Sequence, residues 1–286
     1  MSTNSGTNAT QDQIDIAGAV DALPPLPAVA LRVMEVAQNP KSSASDLALV
    51  VSSDPGLSGR LLRVVNSAAY RRSREITSVQ EALVTIGFVQ ARNMAISGAI
   101  AGAYAPDALN ALFRIDTFWE HSIAVAFKAA EIAGKGRRVD VPSAFTAGIL
   151  HNMGRLAVFY ADPAGLDQAV ATAIATGATI EQVEAVQLGF DHAEIGGRLA
   201  AKWRLPEPVR EAIAHHHDDI DTDQTLAGCV AAADRYVCAN GLLPGYIVPV
   251  APGETRQITA EFKTLMRQVD ALMQLVKGRP AGVKAA

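Results

Sequence analysis

The chain has six histidines, and all of them follow residue 120: His121, His151, His192, His215, His216 and His217. The first three stand beside small or apolar neighbours, in WEHSIAVA, GILHNMGRL and DHAEIGGRLA, each inside a predicted helix or its first turn. A buried imidazole needs a hydrogen-bond partner. One alone is an ordinary core residue, whereas several arriving from separate helices with an aspartate in reach make a metal site. His151 and Asn152 are adjacent, about 100 degrees apart if the helix runs through them, and both can line one cleft. Gly148 and Gly154 beside them permit close backbone approach. Asp234 follows Val230-Ala231-Ala232-Ala233, small residues that let helices approach until a short carboxylate reaches across; a surface ion pair is the equal alternative.

The triplet His215 to His217 ends a helix that begins near Pro206, where imidazolium groups can complement the negative helix end. Asp219, Asp221 and Asp223 imitate the alternate ligands of a calcium loop, but Gln224 stands at the required glycine and Val230 at the bidentate glutamate, so that reading fails. No nucleophile elbow, Walker loop or dinucleotide fingerprint is present. Arg60, Arg63, Arg71, Arg72 and Arg74 form a local basic cluster, but only Tyr70 is interleaved with it, so a solvated face is favoured over a nucleic-acid surface.

The elements that must position these residues are helices. Apolar residues recur three or four apart in Leu57/Leu61/Val64/Val65 and similar sets, strand-like alternation is nearly absent, and about a dozen helices are expected. Ser78 with Glu81 and Asp191 with Glu194 fit capping boxes, and Pro55, Pro142, Pro163 and Pro206 fit helix starts. Phe262, Leu265, Met266, Val269, Met273 and Val276 make one stripe on a final helix, expected to dock on its own domain.

A hydrophobic share of 49% and a charged share of 19% suit one large core or two that share an interface. The net charge of −4 provides no overall pull toward nucleic acid or an anionic membrane. Cys229 and Cys238 are too few and badly spaced for a disulfide framework or zinc ribbon. No signal peptide or spanning apolar run is seen. A cytoplasmic protein is therefore expected.

Three stretches, LPPLPAVALRVMEVAQNP, SDPGLSGRLLRVVNSAAY and ITSVQEALVTIGFVQARNMAIS, carry a family resemblance. The chain resembles HDOD proteins, the HD-related output domain branch of the HD metallohydrolase superfamily. The resemblance implies an all-α, multi-helix fold, with an N-terminal helical subdomain (about 20–106) packed on an HD-like one (107–240). Residues 1–19 and 278–286 are expected as disordered tails, and 241–277 as a loop and amphipathic helix.

It also places His121 at the first HD ligand position and His151-Asn152 at the name-giving pair, with His192, His216, His217 and Asp234 at later ligand positions. Asn152 departs from the family's Asp, Arg155 from the Lys of HDxGK, and no GYP follows. A bridging carboxylate holds two ions at the spacing that activates water; a neutral amide cannot.

The expected function is a non-catalytic signal-transduction output module acting through protein–protein contact, with a vestigial site of His121, His151, Asn152 and Asp234 and no cofactor. A single divalent transition metal on His121, His151, His192, His216, His217 and Asp234 stays open, as does a dry hydrogen-bonded relic. The alternatives are a metal-dependent phosphohydrolase or cyclic-dinucleotide phosphodiesterase, and a nucleotide-binding pseudoenzyme. Partners implied are two-component or cyclic-di-GMP pathway proteins, with a nucleotide as a further ligand and nucleic acid and membrane disfavoured.

Overall fold

A computed structural model describes residues 15–67, 70, 74–104, 112–218, 224–247 and 258–277. The expected tails 1–14 and 278–286, the boundary between halves at Ala105 to Asp107, Arg71, Arg72 and the aspartates 219, 221 and 223 lie outside them. The described residues form fifteen α-helices and no strand. The first six are α1 (Ile16–Ala22), α2 (Ala28–Gln38), α3 (Ala44–Ser52), α4 (Pro55–Val65), α5 (Val79–Ile86) and α6 (Phe88–Ala101). Next come α7 (Ile115–Gly136), α8 (Val141–Leu150), α9 (Met153–Ala161), α10 (Pro163–Thr176) and α11 (Ile180–Gln187). The chain closes with α12 (His192–Lys202), α13 (Glu207–Ala214), α14 (Leu226–Ala239) and α15 (Ala260–Lys277).

Local chemistry sets most helix starts. Asp15, Asp54, Asp140, Asp162, Asp191 and Thr225 each accept a hydrogen bond from the backbone N–H three residues on. Ser78 and Asp191 cap as expected, but the boxes are half-formed, because Glu81 pairs with Arg74 at 2.7 Å and Glu194 with Arg198 at 2.9 Å. The reciprocal box forms at Ser43 and Asp46. Asp15 also corrects the N-terminal tail: capped by it, α1 begins at Ile16 and buries Ala19.

The packing joins both halves. α2 packs on α3 and α6, and α3 on α4 and α5; α7 packs along α8 and α14, and α12 along α9 and α13. α1 crosses to pack on α9 and α12. α15 packs on α4, α6 and α7, burying Phe262, Leu265, Val269, Leu272 and Met273. One apolar cluster runs from Ala19 to Leu275, and a small second one lies around Ala169, Ile180 and Tyr246. α6 is buried from Ala91 to Ala101, with Arg92, Asn93 and Ser97 included, the pattern of a helix covered along most of its surface. Among the described residues no helix is long and apolar enough to cross a membrane.

Candidate metal centre

His121 lies about two turns into α7, His151 caps α8, His192 opens α12 and Asp234 faces inward from α14. The expectation that His151 and Asn152 share one helix is corrected: they form the turn between α8 and α9, with Asn152 at φ −96°, ψ 10°. Two glycines make this turn compatible with its surroundings. A Cβ on Gly154 would lie 1.9 Å from the His192 carbonyl oxygen, and one on Gly148 would lie 2.6 Å from the Ala126 Cα. Hence α9 can sit against α12, and α8 against α7, only without those side chains.

Six donors gather into two adjacent triads, His121/His151/Asp234 and His192/His216/His217, each with ligand atoms mutually within 4.8 Å. Their rings meet: His151 and His216 centroids are 4.9 Å apart, and His192 and His216 5.3 Å. His215 alone stays outside, half-exposed and paired with Asp218 at 2.9 Å and Glu211 at 3.4 Å. The triplet thus divides between a surface role and an interior one.

Hydrogen bonding orients the interior rings. His121 Nδ1 is 2.8 Å from the Leu242 oxygen, His151 Nδ1 2.7 Å from the Gly148 oxygen and His216 Nδ1 2.7 Å from the Ile213 oxygen. A carbonyl only accepts, so each Nδ1 carries the hydrogen and each Nε2 turns inward. His192 follows the same rule, with Nδ1 2.5 Å from Glu184 Oε2. Metal-binding histidines are held in this way by outer-shell acceptors.

In the first triad His121 Nε2 is 3.0 Å from Asp234 Oδ1 and 3.3 Å from His151 Nε2, and His151 Nε2 is 3.6 Å from Asp234 Oδ1. Three lone-pair atoms converging on one point need a proton or a cation among them. Burial raises the Asp234 carboxyl, but a proton shared with the His121 and His151 Nε2 atoms beside it outweighs burial and holds the group well below the usual carboxylate range. It is therefore a charged ligand, ready for a dication. Asn152 Nδ2 donates to His151 Nε2 at 2.7 Å, and Asn152 Oδ1 is buried with no hydrogen-bond partner.

The second triad fits a cation less well. It has no carboxylate, and Arg155, buried on α9, places Nη2 2.9 Å from His192 Nδ1 and 3.2 Å from His192 Nε2. Arg155 also pairs with Glu184 at 3.1 Å and donates to the Pro244 oxygen at 3.3 Å. Burial first, then the charges of Arg155 and His217, push His192 well below the ordinary histidine value; burial and His217 do the same to His216. Both are neutral imidazoles, and His216 Nε2 has no partner. The donor set therefore fits one divalent transition ion, held by His121, His151 and Asp234. Such an ion would supply Lewis acidity there.

Sequence reasoning missed two contributors. Glu184 is an ordinary-looking helix glutamate that becomes fully buried between Arg155 and His192. The segment after α14, set aside as a linker, supplies the Leu242 and Pro244 carbonyls. Backbone acceptors leave no residue-type signal.

A family model for the HDOD domain matches residues 23–219. An uncharacterized protein of Treponema pallidum is 27% identical over 217 residues, which are 74% of this chain and 41% of that protein. Ribonuclease Y of Thermus thermophilus is 29% identical over 167 residues, 58% of this chain and 22% of the enzyme. The chain thus spans less than half the length of these relatives. Among solved structures, an HDOD domain protein of Geobacter sulfurreducens is 25% identical with a TM-score of 0.68, covering 92% of this chain and 88% of that one. A candidate phosphohydrolase of Shewanella amazonensis is 28% identical with a TM-score of 0.63, covering 92% and 97%. With the matched family region embracing α2 to α13 and all of the inward-facing histidines, this chain belongs to the HDOD domain family.

Proposed function

We propose that the protein is a non-catalytic signal-transduction output module that acts through protein–protein contact and whose HD-type centre holds at most one divalent transition metal. The observation that carries this reading is Asn152: at the turn where a bridging carboxylate would join two ions, a neutral amide donates to His151 Nε2 at 2.7 Å. The surroundings support it. Arg155 lies beside the His192 Nε2 where a second cation would sit, and the donors other than His217 are buried, Asp234 being 7% exposed and His216 2%. Closed sites of this kind suit structural rather than catalytic ions. The partners expected are components of two-component or cyclic-di-GMP signalling.

A second reading, a metal-dependent phosphohydrolase, is favoured by the inward-turned Nε2 atoms and by the likeness to the Shewanella protein. Elemental analysis of untagged protein, with assays on a cyclic dinucleotide and a phosphomonoester in added manganese, separates the two. The output-module reading expects no more than one ion per chain and no turnover. Two ions with enzyme-like turnover would replace it by the hydrolase, and nucleotide binding without product would mark a nucleotide-binding pseudoenzyme.

A further inference from the structure

A cleft of about 500 Å³ opens between α6, α7, α14 and α15, and none of the candidate metal ligands lines it. Its volume suits a metabolite-sized molecule. Two cations line it, and their situations differ. Lys128 is neutralised by Glu261 at 2.6 Å and Glu131 at 3.2 Å, with its ammonium 4.1 Å from the centre of the Tyr236 ring. Arg92 is only 5% exposed yet makes no ion pair among the described residues. Its Nε and Nη2 both donate to one acceptor, Asn93 Oδ1, at 3.2 Å. Asp140, at the cap of α8, acts on it from beyond ion-pairing distance. Among the described residues no acceptor is met by the Arg92 Nη1 hydrogens.

A guanidinium keeps its charge at any ordinary pH and offers five donors in a flat fork. Burying it without a counter-charge is costly, and a carboxylate is the group whose geometry fits the fork. Tyr236 lines the cleft as well, and its hydroxyl is buried without a hydrogen-bond partner among the described residues. Phe127, Val141 and Leu265 supply an apolar part of the wall, beside Thr264 and Gln268. Glu131 and Glu261 on the same wall oppose a polyanion; with Lys128 and Lys135 both paired to these carboxylates, Arg92 is the lining cation left for a single carboxylate.

We propose that this cleft binds a small organic carboxylate with an apolar body, its carboxylate held by Arg92 and its body by Phe127, Val141 and Leu265. Two walls of the cleft belong to helices that carry the metal centre: Lys128 lies two turns beyond His121 on α7, and Tyr236 two residues beyond Asp234 on α14. α6 and α15 bring the first half and the chain's last helix to the same place. A ligand here would therefore touch every part of the fold that meets at the cleft.

The test is calorimetric titration of the full chain with 4-phenylbutyrate, with inorganic phosphate as an anion lacking the apolar body. Saturable binding of 4-phenylbutyrate is expected, persisting in chelator-treated protein, with phosphate much weaker. Arg92→Gln should weaken it at least about tenfold, a loss near 1.4 kcal/mol, and Arg92→Lys less. Because a buried arginine also contributes to folding, Val89→Trp at the exposed rim provides a second variant that fills the cleft and should abolish binding. Absence of saturable binding would overturn the proposal. So would equal affinity in the Arg92→Gln and Val89→Trp proteins, or phosphate binding as tightly as the carboxylate.

Discussion

His121, His151, His192 and His216 each give the Nδ1 hydrogen to an acceptor outside the centre and keep Nε2 for the inside, so single side chains there have separable roles. Asn152 is the most informative. Asn152→Asp adds a charge beside His151 Nε2 without changing size, and should raise bound manganese from at most one ion toward two per chain. Elemental analysis checks this, and an unchanged metal content would show that Arg155 rather than Asn152 limits the site. Glu184 is the second. Both of its oxygens are engaged, one by Arg155 and one by the backbone and ring of His192. Glu184→Gln leaves the Arg155 charge buried and uncompensated, at a cost of about 3–5 kcal/mol in urea unfolding. A loss well under about 1 kcal/mol would mean that solvent reaches the pair.

Acid should act through the same residues. Burial, the largest cause for each, lowers His151, His192 and His216 below the ordinary histidine value. The unfolded chain takes up protons on these groups near pH 6.5, where the fold resists them, so stability falls as pH drops below that point. The slope reaches about 1.4 kcal/mol per pH unit for each imidazole. Thermal unfolding of chelator-treated protein at pH 7.5 and pH 5.5 should show a lower Tm at the acid value. A flat profile would mean that the rings already carry protons in the fold.

Among the elements, the crossing of α9 and α12 is the tightest constraint on the centre. Gly154→Ala would drive a methyl into the His192 carbonyl and the Gly196 amide, forcing apart the helices that hold Arg155 and His192. Overpacking of this kind costs about 1–3 kcal/mol, read by urea unfolding, with a parallel loss of bound metal. That glycine was legible as a close-approach residue from its place beside His151, but its partner helix was not. Likewise the caps were legible in Ser78 and Asp191, while the diversion of Glu81 to Arg74 and Glu194 to Arg198 was not. A capping oxygen acts on its own helix, whereas a long side chain chooses among everything within reach.

On the scale of the whole molecule, one apolar cluster unites the two halves through α1, α6 and α15. Leu272 on α15 is fully buried in it, and Leu272→Ala should remove about 2–5 kcal/mol. The loss should appear as one shift of a single transition, with far-UV circular dichroism and tryptophan fluorescence moving together. Two separated transitions would show the halves to be independent folding units.

By itself the sequence determined the all-α class, most helix starts, the apolar stripe of the last helix and the family, because periodicity, caps and prolines act within a few residues of themselves. It also pointed to the histidines and Asp234, since those residue types are rare in helix interiors. Only the tertiary structure decided how they combine: two triads rather than one set, Arg155 against His192, and Glu184 and the Leu242 and Pro244 carbonyls as supports. Those relations join positions tens of residues apart, and a buried charge or backbone oxygen acquires its role from whatever the packing brings within hydrogen-bond distance.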